Sequence, residues 1–542
     1  MIPSRWQSTV DAQPGSPNRL WRRQGARAVR FRDRVVVSAL AAGGVAAVLR
    51  LIDWWFRASH VAHFALFTLL SLVFWYGIAR IVLGWVNYLA ISRPDHRPPP
   101  AGLRVAIFTT SSPGEPLAMF EKTLAACARI RYAHTTYLLD DTRDPRFHEI
   151  ANRYGATWLP LVDIPGAKAG KINRALELSD EEFILVLDPD HIPFPDFLDR
   201  VLGHFADPAV GFVQVAQAYY NQNRSFVAAA AAEQTYAFYG PGLMGLYGHG
   251  ASVAIGANCT FRRTALMSIG GHGIGLAEDL VTAIRLHAAG WSSVYVPEIV
   301  SRGLVPEDLG SYFKQQLKWA RGVYEVIFAE LPRLFPRLTW RQRLSYLTIG
   351  TYYLSGLTTA LYVVFPYVYL WTGIQPAHMQ FEAFLNTAAP VAAAGVAMYL
   401  FVQRWLCDVR TERGLHWRGF LLKIGCWPVY LAGTVLALVR ADIPYVPTAK
   451  QAIRGRFLRL ASVHLALICA YGITVADVVS QRLFTTDVSM AISADVLWGM
   501  VAFATVPMLA GIGAVHAAWQ ARYVPDDSPW DSVEIDLAGD RA

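Results

Sequence analysis

"FILVLDPDHIP", residues 183–193, runs an apolar stretch straight into Asp188, Pro189, Asp190 and His191. The run has the length of a buried strand, and two carboxylates stand one residue apart where that strand gives out. Similar units precede it: "RVAIFTT" (104–110), a helical stretch near 117–129, "TTYLLDD" (135–141) and a second helical stretch near 145–154. This alternation predicts βαβ units and a mostly parallel sheet, in which ligands gather at the carboxyl ends of the strands. Asp140 and Asp141 close one strand, Asp188 and Asp190 another. An Asp pair after a strand is most often a turn or a helix cap, so its meaning depends on what converges with it.

The chain around this domain is not that of a water-soluble enzyme. Its 542 residues are 54% hydrophobic and 17% charged, with a mean hydropathy of +0.28. Uncharged runs long enough to cross hydrocarbon lie at 61–79, 344–381, 383–402, 460–476 and 496–520, and a shorter one at 35–49 continues past Arg50, whose charge can snorkel. No such run falls between 91 and 341. The predicted fold is therefore a multi-pass α-helical membrane protein with an inserted α/β domain. Residues 1–34 form a basic arm, 35–95 two spans, 96–340 the inserted domain ending in an interfacial helix and 341–405 two spans. Residues 406–457 follow as an interfacial helix and a loop, 458–520 as two more spans and 521–542 as a tail.

The Arg-rich first 34 residues lack an apolar core, so no cleavable signal is expected. Under the positive-inside rule "RLWRRQGARAVRFRDR" (19–34) stays cytoplasmic, which puts the inserted domain and the tail on the cytoplasmic face of the inner membrane. The loop 372–388 has no Lys or Arg and is expected outside. The apolar segment 419–439 is flanked by basic stretches on both sides and interrupted by Lys423, Gly425 and Pro428, so it is expected to lie along the interface rather than span. Cys127, Cys259, Cys407, Cys426 and Cys469 show no paired spacing, which argues against a disulfide framework or a zinc site. The net charge of +8 is accounted for by membrane-flanking Arg and Lys. No basic-aromatic stripe points to nucleic acid.

Two carboxylates with one spacer at the end of a rigid strand suit a hard divalent ion. Mg²⁺ (or Mn²⁺) held this way keeps places for water and phosphate oxygens, which points to a nucleoside diphosphate ligand. His191 either completes the set or pairs with backbone. "GGHGIGLAEDL" (270–280) is a Gly-rich loop entering a helix, with Glu278 and Asp279 at its start; acids there satisfy helix electrostatics even without chemistry. "DLGSYFKQQLKWARGVYEVI" (308–327) is an amphipathic helix, and Gln315 and Trp319 fall four apart on one face. An amide and an indole so placed can hold a sugar by hydrogen bonding and stacking.

These residues resemble the inverting, membrane-integrated family 2 glycosyltransferases, the cellulose, chitin and hyaluronan synthases, with their pattern D, DxD, D and QxxRW. Thirty-five residues separate Asp279 from Gln315, the family's spacing. Bacterial cellulose synthase catalytic subunits and curdlan-type β-glucan synthases are the nearest likeness. "AKAGKINRAL" (167–176), "VGFVQVAQAYYN" (210–221), "FRRTALMSIGG" (261–271) and "YVPTAK" (445–450) are similar to further segments of that group, the last to its gating loop.

The resemblance implies a GT-A, Rossmann-like inserted domain. It assigns the uridine part of the donor to Asp140 or Asp141, the diphosphate region to Lys168 and Arg321, and the metal to Asp188 and Asp190. Asp279 becomes the general base, Gln315, Trp319 and Glu278 hold the acceptor, and Thr448 and Lys450 close over the bound UDP-sugar. Three departures stand out. Lys318 replaces the motif Arg, Ala277 replaces a Thr, and the stretch after the last span is too short for a cyclic-di-GMP-binding domain. Arg and Lys are not interchangeable at a bidentate site.

The expected activity is processive: a β-glucan, curdlan-like, mixed-linkage or cellulose, polymerised from UDP-glucose and translocated across the lipid bilayer, with an accessory export subunit as a further partner. Three alternatives stand beside it. One is a non-processive transferase acting on a lipid acceptor, whose product would partition into organic solvent. Another is a chitin- or hyaluronan-type synthase, and the last is a non-catalytic export scaffold that binds nucleotide sugar and releases no UDP.

Overall fold

A computed structural model describes residues 24–441, 443, 448–455, 457–484, 494–521, 523, 525 and 527–531. The inserted α/β domain is built on strands β1 (Gln24–Gly25), β2 (Val105–Thr110), β3 (Thr135–Asp140), β4 (Thr157–Pro160), β5 (Phe183–Val186), β6 (Ile192–Pro193), β7 (Val210–Ala216), β8 (Cys259–Arg262), β9 (Ser292–Ile299) and β10 (Ser301–Arg302). Eight of them form one sheet in the order β1-β9-β7-β8-β5-β2-β3-β4, and β10 pairs with β6 in a separate ribbon. β2 runs parallel to β3 and to β5, β3 to β4, and β7 to β9; β8 is antiparallel to both neighbours. Every residue of β2, β5 and β7 is buried, because helices cover both faces, and this is why these strands read as unbroken apolar runs. Since β2, β3 and β5 are parallel, Ser111, Asp140 and Asp188 emerge along one edge.

Among the described residues, five helices are long and apolar enough to cross a membrane: Phe31–Trp55, Phe64–Leu89, Trp340–Thr372, Phe381–Trp405 and Phe457–Asp477. The remaining expected span, 496–520, falls within the helix Ala494–Gln520, part of whose side chains lies outside the described residues. The segment 419–439 is two helices, Trp417–Gly425 and Trp427–Leu438, bent by 43°. Pro428 in the first turn of the second helix has no N–H to continue the first. At about 1.5 Å per residue neither half crosses hydrocarbon alone, but together they pass the same test of length and composition.

Three expectations need adjustment. The stretch 372–388 is loop only over 373–380, because the apolar run that follows is already helical from Phe381. The arm is not wholly separate, since β1 adds an antiparallel edge to β9 at Glu298 and Ile299. The tail returns to the α/β domain: Trp530 is buried among Met119, Phe120, Phe147 and Ile150, and Asp527 pairs with Arg224 at 3.0 Å. Residues 1–23 of the arm and 532–542 of the tail lie outside the described residues.

The α/β domain is fastened to the bundle where the Leu243–Gly248 helix meets the end of the Phe64–Leu89 helix. Asn87 Nδ2 donates to the Gly242 carbonyl at 2.9 Å, and a Cβ on Gly248 would drive into the Ala90 carbonyl. Gly248→Ala should therefore lower stability by about 1–3 kcal/mol, the range for overpacking. It would be read as a lower melting temperature in detergent, with Gly43→Ala, which has open space around it, as the unaffected control.

Candidate active site

The turn after β5 presents its acids because the strand is locked between β2 and β8. Asp188, Asp190 and His191 each bring a ligand atom within 4.8 Å of the others, and Asp190 and His191 are buried. His191 Nδ1 lies 3.1 Å from Asp190 Oδ1. The Lys168 ammonium donates to Asp188 and to the Gly256 carbonyl, and Lys450 Nζ lies 3.1 Å from Asp190 Oδ2. Against the pull of burial, Lys450 and His191 hold the Asp190 carboxyl far below its ordinary range. Both carboxylates thus already draw positive charge, and His191 Nε2 is buried with no hydrogen-bond partner among the described residues. This donor set fits a divalent cation.

Asp279 sits at the start of the Glu278–Ala288 helix, behind the Gly-rich loop. Burial first, and then the neighbouring Glu278 charge, push its carboxyl up to about 7. The Leu280 N–H donates to Oδ1 at 2.8 Å. Oδ2 faces Gly256, where φ is +82° and a Cβ would stand 3.3 Å away. Glu278 is raised in the same direction, mainly by burial and against the nearby Lys168. Burial lowers Lys318, against the pull of the Glu278 charge.

Asp188, Asp190, Glu278 and Asp279 line one cavity of about 640 Å³. Lys168, Gln315, Lys318, Trp319, Thr448 and Lys450 line it too, so the tertiary fold brings together most of the residues singled out from sequence. The cavity continues to Arg80, Tyr352, Tyr353 and Lys423 on the bundle helices. Residues 445–447 of "YVPTAK" lie outside the described residues.

Three of the expected residues do not reach the cavity lining. The Asp140 carboxylate is occupied by Ser111 Oγ, by the N–H and hydroxyl of Thr142 at 3.0 and 2.8 Å, and by Trp158 Nε1 at 3.0 Å. Asp141 accepts from the Asp163 N–H at 3.2 Å and faces Lys171 at 3.5 Å. Arg321 pairs with Glu325 at 2.8 Å and donates to the Ala441 carbonyl.

Sequence reasoning missed Glu115, which lines the cavity beside Ser112. Burial pushes its carboxyl up to about 7 against the pull of Lys450, and the Ser112 N–H donates to it at 2.8 Å. Its only signal was its place in the turn after β2, the same edge that carries Asp188. Tyr239, Tyr352 and Tyr353 were also missed, because they belong to elements far apart in the chain.

Residues 183–401 match the family described as Glycosyl transferase family group 2. Among curated proteins, the chain is 29% identical over 342 residues to a "Putative cellulose synthase 2" of Komagataeibacter xylinus, which covers 60% of this chain and 22% of that protein. It is 31% identical over 316 residues to a "Cellulose synthase catalytic subunit [UDP-forming]" of Komagataeibacter sucrofermentans, covering 57% of this chain and 40% of that one. The chain therefore spans less than half the length of these relatives. A solved mannosyltransferase of Pyrobaculum calidifontis, in complex with GDP-Man and Mn²⁺, is similar with a TM-score of 0.48 at 18% identity, over 70% of this chain and 99% of that one. The matched residues 183–401 include Asp188, Asp190, Asp279, Gln315 and Trp319.

Proposed function

We propose that this protein is a membrane-embedded, UDP-sugar-dependent inverting hexosyltransferase that extends a β-glucan from UDP-glucose and passes the product through its own helical bundle. The observation that carries the reading is that Asp188, Asp190 and Asp279 line one cavity, whose lining continues to Tyr352 and Lys423. The basic flanks of the spans favour an α/β domain on the cytoplasmic face of the inner membrane. The cellulose synthase names of the relatives favour a β-glucan; β-1,4, β-1,3 and mixed linkages differ only in which acceptor hydroxyl meets Asp279.

In this reading Lys168, Lys318 and Lys450 surround the donor diphosphate. Asp188, Asp190 and His191 would hold Mg²⁺ or Mn²⁺, which when bound neutralises diphosphate charge as UDP leaves. Gln315 and Trp319 hold the end of the acceptor. Asp279 takes the proton of the acceptor hydroxyl while its oxygen forms the new bond to the anomeric carbon from the face opposite UDP, and the bond to UDP breaks. A carboxyl near 7 is a stronger base than an ordinary aspartate, yet it is still largely ionised just above neutrality. Thr448 and Lys450 reach the cavity from the loop after the bent helix pair, where they help exclude water from the donor. An accessory subunit would extend the export path.

The deciding experiment supplies purified protein in detergent with Mg²⁺ and a panel of UDP-sugars, reads UDP release, and digests the product with linkage-specific glucanases. UDP-glucose should give release and a glucanase-sensitive polymer; no UDP release from any donor overturns the reading. Chelation should abolish turnover and added Mg²⁺ or Mn²⁺ restore it, while Asp188→Asn and Asp190→Asn should weaken both turnover and donor binding. Asp279→Asn should cut kcat at least about a hundredfold with donor binding retained, as expected for loss of a general base. Wild-type kcat should fall about tenfold per pH unit below about 7 as Asp279 protonates. Stability runs the other way. A folded-state value raised above the ordinary 3.8 means that stability from this group is full below 3.8 and is lost as pH rises through about 7. Asp279→Asn should accordingly raise the melting temperature more at pH 8 than at pH 5.

A further inference from the structure

The cavity's charges are sorted by position. Its acids, Glu115, Asp188, Asp190, Glu278 and Asp279, all belong to the α/β domain, and Lys168 and Lys450 are paired with two of them. The bundle side is lined instead by Arg80, Arg341 and Lys423. None of these three has an ion pair among the described residues. Arg341 lies over the Trp340 ring at 5.5 Å. Arg80 Cζ and Lys423 Nζ both address the ring of Tyr352, at 5.7 and 4.7 Å from its centre. Arg80 donates to the Thr348 carbonyl, which uses only part of a five-donor fork. Both side chains are half-buried and open to the cavity.

Cations that line an enclosed cavity are costly unless something compensates them. Aromatic faces and hydroxyl partners suffice to hold a neutral saccharide, so a guanidinium and an ammonium with no ion pair among the described residues add a place for negative charge. The aromatic faces are present as well: Tyr353 lines the same cavity as Asp279, and its ring centre is 4.9 Å from that of Tyr352. The lining that includes Asp279 thus also brings together Tyr353, Tyr352 and the two cations. We infer that Arg80 and Lys423, with Tyr352 between them, form a subsite for an oxyanion, a carboxylate or phosphate, carried by the acceptor that primes the glucan, behind the end that reacts at Asp279. Guanidinium and ammonium together suit such a group, and the Tyr352 ring takes the sugar that bears it.

This inference rests on the transferase reading above, and its test separates the two. Three acceptors are compared in the UDP-release assay: cellotetraose, cellotetraose whose reducing end is replaced by a glucuronate, and cellotetraose 1-phosphate. The wild-type protein should show an acceptor KM at least about fivefold lower for one or both anionic acceptors than for the neutral one. The ratio should collapse towards one in Arg80→Gln and Lys423→Gln, and it should be partly kept in Arg80→Lys. The two anionic probes distinguish a uronate from a phosphate source. Equal KM for all three acceptors in the wild-type protein overturns the subsite while leaving the transferase intact. So does a preference that survives both Gln variants. Absence of UDP release with every acceptor would instead fail the reading on which it rests.

Discussion

One ammonium group ties the site together. Lys168, buried on the helix after β4, donates both to Asp188 and to the carbonyl of Gly256, the glycine against which Asp279 turns its free oxygen. The acids at the exit of β5 and the acid at the start of the Glu278–Ala288 helix belong to segments some ninety residues apart, and this side chain holds their loops in one register. Burial disfavours its charge, but Asp188, Glu278 and Asp279 together hold Lys168 protonated above its ordinary range. A neutral side chain of the same length could satisfy one oxygen but not the combined field of three carboxylates.

The same balance explains why so many charges survive in an enclosed space. An isolated buried carboxylate costs several kcal/mol and usually neutralises instead. Near Asp188 and Asp190 the compensating charge comes from lysines, and Asp190 remains strongly acidic. At Asp279 the compensation is incomplete, since Glu278 stands beside it and Lys168 is shared, so the proton is held until about neutral pH. Carboxylates that line one cavity thereby acquire opposite acidity, Asp190 held far below its ordinary range and Asp279 raised to about 7.

Coupling to the bundle depends on close backbone approach. The Leu309–Glu325 helix, which carries Gln315, Lys318 and Trp319, packs along the Trp427–Leu438 helix, and Gly433 there is pressed against Ala320. Tyr430 donates to Gln316 at 3.0 Å across the same contact. The bend at Cys426 lets the preceding helix dock on the Phe226–Ala237 helix, where Glu233 accepts from Arg418 and from the Gly419 N–H. A straight span could not serve both contacts.

The sequence by itself determined whatever is local in the chain. Strand exits place Asp188 and Asp190, a helical turn aligns Gln315 with Trp319, and apolar runs mark the spans, because each depends on neighbours within a few residues. The bent pair 417–438 was harder to read, since composition registers the apolar run and its breaks but not the surfaces that hold each half. Only the tertiary structure decided which strand-end acid faces the cavity: Asp140 looked equivalent to Asp188, yet Ser111, Thr142 and Trp158 occupy its oxygens. It also decided that Glu115, Tyr352, Lys423 and Arg80 share a space with Asp279. Burial and mutual charge, which set what these groups do, are properties of juxtaposition between distant segments, and no periodicity in the chain encodes them.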